Sequence, residues 1–225
     1  MSIPYKKMFV MWPPRPEGSV HPRDLGKFPG WLAQFKFNGT RTTIFLDPDG
    51  EVHLRSRHRE EHKLYLIHEH PETHQALKSL LDSDLLERGK WQVFDGEILH
   101  SKTVSLKDRI VLWDILVHNG SYLTGTAYQE RLSRLRETLG NPTKYEEDTG
   151  RKVALVAAQN VWLAETFTPA NADEAGELFN RLVDMDEIEG LVLKDPGGLL
   201  KPGVNEKNNS EWLVRVRKPH KNYRY

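Results

Sequence analysis

Lys36 stands in the run Gln34-Phe35-Lys36-Phe37-Asn38-Gly39-Thr40-Arg41. A lysine near a strand end, followed by Asn-Gly and then Arg, leaves the backbone in a tight turn beside the amine. An amine set among other cations can lose its proton and attack phosphorus. Alone, such a lysine reads more readily as an edge-strand charge that blocks aggregation. Four further segments follow it in order and favour chemistry. They are Ser56-Arg57, Asp95-Gly96-Glu97, Glu189-Gly190-Leu191-Val192-Leu193-Lys194, and Arg215 with Arg217 after Trp212.

Each segment carries charged side chains whose types point to binding of an anion or a cation. The guanidinium forks of Arg57, Arg215 and Arg217 bind phosphate oxygens bidentately, and period two places the last two on one strand face. Asp95 and Glu97 interrupt an apolar strand and alternate onto one face, where buried charge is costly unless it serves something. A second Asp-Gly-Glu, at 49–51, falls in a hairpin turn and reads as structural. Glu189 and Glu97 offer the hard oxygens that suit Mg²⁺. Trp113 lies in a strand apolar on both faces, where a core role is the plain reading. His58, His62, His68, His70 and His74 cluster without completing a metal pattern and are expected on a solvated helix surface.

The ordered set resembles the covalent nucleotidyltransferase superfamily: ATP-dependent DNA ligases, RNA ligases and mRNA capping enzymes. The resemblance runs from about Trp31 to Arg217. It implies that Lys36 carries the nucleotide, as AMP taken from ATP with Mg²⁺. By the same resemblance Gln34 and Phe35 belong to the nucleotide site, Gln34 near the base, and Trp113 stacks on the purine. Arg41, Arg57, Lys194, Arg215 and Arg217 meet the nucleotide, with Arg57 open to a 5′-phosphate instead. Glu97 contacts the ribose or the metal, and Glu189 the metal. Two positions depart from the family pattern: Asn38 replaces the usual Asp, and Arg215/Arg217 replace a Lys-x-Lys. The function implied is a DNA ligase that seals nicks, with RNA joining and a non-catalytic nucleotide-binding module as alternatives. The partner implied is nicked duplex DNA, or RNA, bound by a monomer.

The elements that must position these residues give an α+β class, since strands come in hairpin runs with helices between them. The resemblance implies two antiparallel sheets with flanking helices and a nucleotide cleft between them. Strands are expected at 31–37, 42–46, 51–56, 91–99, 109–117, 153–158, 161–166, 190–194 and 211–217. Helices are expected over most of 60–89, with Leu77, Leu80, Leu81 and Leu85 on one face, and at 128–139 and 172–183. Residues 1–30, rich in Pro and Gly, read as an irregular leader, 31–217 as the nucleotidyltransferase domain, and 218–225 as a basic tail with no oligonucleotide-binding barrel after it.

Composition narrows the classes further. The chain has 225 residues, with 32 basic and 32 acidic side chains, so nucleic-acid binding must use local patches rather than net charge. There is no cysteine, which excludes a disulfide framework, a thiol nucleophile and a cysteine-ligated zinc. No apolar run is long enough to span a membrane, and Met1 to Lys7 does not open a secretory signal, so a cytoplasmic setting is expected.

Overall fold

A computed structural model of the chain describes residues 12–181, 185–204 and 207–218. The expected helix end at 182–183 and the tail from 219 onward lie outside the described residues. Two sheets form the frame. The first has five strands: β1 (Arg15–Val20), β2 (Leu32–Phe37), β10 (Thr166–Phe167), β11 (Ile188–Lys194) and β12 (Asn209–Arg217), ordered β1-β12-β11-β2-β10. The second has seven: β3 (Thr40–Leu46), β4 (Val52–Ser56), β5 (Gln92–Leu99), β6 (Arg109–His118), β7 (Ser121–Tyr122), β8 (Ala154–Ala158) and β9 (Val161–Ala164). Its main path runs β4-β3-β5-β6-β9-β8, with β7 on β6. Pairing is antiparallel throughout except for β1 with β12 and β6 with β9. This is the α+β class expected.

Alternation explains which side of β2 does what. Ala33, Phe35 and Phe37 join a core that includes Leu191, Leu193 and Val216 from the neighbouring strands and Ala175, Leu178 and Phe179 of helix α3 (Ala172–Asn180). Gln34 and Lys36 therefore face the other way, into a cleft between the sheets. Asn171 caps α3, its side chain accepting from the Glu174 N–H. Helix α2 (Tyr128–Thr138) buries Tyr128, Arg131, Leu132 and Leu135, a stripe at helical spacing. Its first turn packs on Trp212 and Leu213 of β12, while Leu135 enters the core of the seven-stranded sheet. The helix thus wedges beneath the cleft and touches both sheets.

Three expectations need correction. The leader is not wholly irregular, because Arg15–Val20 is a strand on the sheet edge, followed by a 3₁₀ turn at Pro22–Lys27. Its prolines hide it from propensity, and an edge position, with a register shift between Pro16 and Gly18, tolerates them. The stretch 60–89 is far less helical than expected. Only α1 (Pro71–Ser79) is α-helical, with Pro71 at its start, and Leu85 is exposed. The strand expected at 161–166 is two strands. Val161–Ala164 ends in the seven-stranded sheet, and the chain crosses at Glu165 so that Thr166 pairs with Gln34 in the other. Among the described residues no helix is long and apolar enough to cross a membrane.

Candidate active site

The cleft has a volume of ≈ 570 Å³, and every expected site residue lines it: Gln34, Phe35, Lys36, Arg41, Arg57, Glu97, Trp113, Glu189, Lys194, Arg215 and Arg217. Lys36 sits where β2 leaves the five-stranded sheet. Asn38 and Gly39 carry the chain across the gap, and β3 begins at Thr40 in the seven-stranded sheet. Gly39 is obligatory here. A Cβ on it would lie 2.5 Å from both the Ile98 carbonyl oxygen and the Glu97 Cγ. Its N–H instead donates to Glu97 Oε1 at 3.1 Å, which ties the lysine turn to the Asp-Gly-Glu strand.

Lys36 Nζ meets Glu189 Oε2 at 2.6 Å, and Arg217 Nε lies 3.8 Å from the same oxygen. Register accounts for the meeting: Gly190 faces Lys36 on one side and Arg217 on the other. The cations around Lys36 are thus interleaved with carboxylates. Arg41 is tied to Asp95, donating through Nε at 3.0 Å and through Nη2 as well, and it also reaches the Pro14 carbonyl at 2.7 Å. Lys194, buried at 5% exposure, donates to the Tyr128 hydroxyl at 3.0 Å.

The nucleotide-site candidates Gln34, Phe35 and Trp113 divide. Gln34 donates through Nε2 to Thr166 Oγ1 at 2.8 Å, a contact the strand crossing at Glu165 creates. The Phe35 ring, however, belongs to the core and packs on Phe167 at 5.0 Å, so only its backbone borders the cleft. Trp113 does face the cleft: its indole N–H donates to Asp95 Oδ2 at 2.9 Å, and the Arg41 and Lys194 charges each stand 5.9 Å from its ring. Arg57 is exposed at the rim, its Nε donating to His58 at 3.0 Å. Arg215 donates to Ser19 of β1 at 2.7 Å. Lys218, facing the other way, donates to the Met185 carbonyl.

Burial sets the electrostatics. It pushes the Glu97 carboxyl up to about 7, against the pull of Lys36 and Lys102. It brings the Lys194 ammonium down to about 7, although Asp114 and Asp95 pull the other way. Asp114 is itself held by Arg131 in a fully buried two-pronged pair of 2.9 and 3.0 Å.

Some participants were not singled out by sequence. Asp114 had a signal, a charge inside an apolar strand. Pro14, Lys102 and Tyr128 had none, because each depends on which elements meet. The histidines are corrected too. His62 is buried, and His70 stacks on Tyr65 with ring centroids 3.9 Å apart; neither lies on a solvated helix face. Among the described residues no group of three or more His, Cys, Asp or Glu is placed to hold a metal.

Comparison with known proteins gives a consistent result. The mycobacterial DNA ligase D complexed with ATP superposes with a TM-score of 0.55 at 22% identity, covering 90% of this chain and 59% of that one. The ATP-dependent DNA ligase from bacteriophage T7 superposes at 0.57 and 15% identity, covering 92% and 68%. The Chlorella virus DNA ligase-adenylate superposes at 0.52 and 14% identity, covering 91% and 69%. The chain thus spans less than two thirds of the mycobacterial chain's length. No curated protein matches the sequence. The family model for the ATP dependent DNA ligase domain matches residues 22–213, so the chain belongs to the ATP-dependent DNA ligase domain family.

Proposed function

We propose that this chain is a self-adenylating ligase core: Lys36 takes AMP from ATP, and the AMP then activates a 5′-phosphate at a nick in duplex DNA. The observation that carries the reading is the meeting of Lys36 Nζ with Glu189 Oε2 at 2.6 Å, inside a cleft lined by every residue the resemblance implies. In the first step the Nζ–phosphorus bond forms and the bond from the α-phosphorus to pyrophosphate breaks. Nζ must shed a proton, and Glu189 Oε2 is the acceptor within reach. In the second step AMP passes to the 5′-phosphate. In the third a 3′-hydroxyl displaces it.

Roles follow from position. Gln34 and Trp113 face the base, with the Phe35 backbone beside them. Lys194 and Arg217 face the phosphates, and Arg57 and Arg215 hold the rim where a substrate strand would lie. Arg41 acts through its pair with Asp95. Glu97 and the second oxygen of Glu189, left open by the Lys36 contact through Oε2, would hold Mg²⁺, a cation that takes one or two carboxylates and keeps several waters. Burial pushes the Glu97 carboxyl up, and a cation beside it would offset that. The ion would supply charge neutralisation at the phosphates. The protein is expected to act as a monomer in an intracellular setting.

Incubation with Mg²⁺ and ATP labelled at the α-phosphate should leave acid-resistant label on the protein, and Lys36→Ala should remove it. Absence of label from nucleotide-free wild type would leave the non-catalytic module as the reading. Sealing of nicked RNA in preference to nicked DNA would reassign the substrate.

A further inference from the structure

Tyr128 opens helix α2 and is fully buried under the cleft floor. Its hydroxyl donates to the Trp113 carbonyl oxygen at 3.0 Å. A carbonyl can only accept, so the hydroxyl proton is committed there and the oxygen's lone pairs are left for other donors. Lys194 Nζ supplies one at 3.0 Å. The ring is held independently of the hydroxyl, stacked on Trp212 at 5.6 Å and 28°.

The groups facing Lys194 are otherwise charged or aromatic. Asp114 and Asp95 attract it, Arg41 and Arg131 repel it, and Trp113 lies 5.9 Å away. Each aspartate already holds an arginine. The phenolic oxygen is thus the acceptor in direct contact with Nζ. An ammonium donates a stronger hydrogen bond than a neutral amine, so this contact favours the charged form.

We propose that Tyr128 is a positioning residue for nucleotide capture, its hydroxyl holding Lys194 at the cleft floor as an ammonium aimed at the nucleotide phosphates. The inference rests on the cleft being the nucleotide site. It assigns a role to a residue that, by sequence, is only the first apolar position of a helix.

The test uses ATP affinity in the Lys36→Ala protein, where no covalent bond can form. Adding Tyr128→Phe removes one oxygen and keeps the stacked ring. ATP should then bind about tenfold more weakly at pH 8, the loss expected when a hydrogen bond to a charged group is removed. The decline of affinity with rising pH should also begin at lower pH, because the ammonium has lost its acceptor. In a Lys194→Met background the same Tyr128→Phe change should cost much less ATP affinity, what remains reflecting the hydroxyl's hydrogen bond with Gln34. A uniform loss with an unshifted pH profile, or an equal loss in the Lys194→Met background, overturns the inference alone. Failure of the Lys36→Ala protein to bind ATP at any pH overturns the nucleotide reading and the inference together.

Discussion

At the scale of single residues, the departures from the family pattern have local causes. Asn38 donates through Nδ2 to the Asp186 carbonyl at 3.1 Å. A carboxylate has no proton to give there, so Asn suits this turn better than Asp would. Lys194 shows the opposite kind of choice, a residue poor for the fold and suited to a polyanion. Its folded value is about 7 against an ordinary 10.5, because burial works against the ammonium that Tyr128, Asp114 and Asp95 support. The stability that comes with that lowered value is present above pH 10.5 and lost as pH falls to about 7; below that the full cost of burying the charge remains. Lys194→Met should therefore raise the unfolding free energy at pH 6 by roughly 1–3 kcal/mol, with the gain fading as pH rises toward 10. Urea unfolding across that range measures it. A destabilised variant at pH 6 would mean that Asp114 and Asp95 outweigh burial. The same variant should lose ATP affinity, a trade of function for stability.

The elements convert these residues into a site through register, and register turns on a few backbone positions. Gly190 is one. Its φ is +144°, and a Cβ there would stand 2.0 Å from the Val216 carbonyl oxygen. No L side chain fits without parting β11 from β12, the contact that sets Glu189 against Lys36 and Arg217. Gly190→Ala should cost roughly 2 kcal/mol or more in urea unfolding and abolish lysyl-AMP formation; normal stability and labelling would show that the strands can slip without harm. Period two made much of this legible beforehand. Gln34 with Lys36, Asp95 with Glu97, and Arg215 with Arg217 share faces because strands alternate. The same rule should have placed Phe35 on the opposite face, in the core, and the resemblance overrode it. Length was harder to read. Leucines spaced through 60–89 suggested helix, yet Pro71 fixes where a helix can start, and the chain before it is held by local contacts such as the Tyr65–His70 stack.

For the molecule as a whole, the cleft lies where the chain repeatedly changes sheets, at Asn38-Gly39 and again at Glu165. Sequence shows neither crossing, because both are properties of pairing between distant strands rather than of composition. β1 is a third such feature, with a larger consequence. It pairs in parallel with β12, its Ser19 accepts from Arg215, and the preceding Pro14 carbonyl accepts from Arg41 across the cleft. The segment also places Trp12 under the Arg59 guanidinium, 3.8 Å from the ring centroid, and bonds Trp12 to Gly203. One stretch of chain thus fastens the five-stranded sheet to two cleft arginines and to the hairpin of the other sheet. Deleting residues 1–20 should bare the β12 backbone as a free edge, an invitation to pair with a second chain. The expected result is a lower melting temperature, concentration-dependent association by light scattering, and weaker ATP binding, since Arg41 and Arg215 both lose partners. A truncated protein that stays monomeric, melts as before and binds ATP equally would show that β1 merely lies on the sheet. Partial loss, with stability kept and affinity reduced, would separate its contribution to the cleft from its contribution to the edge.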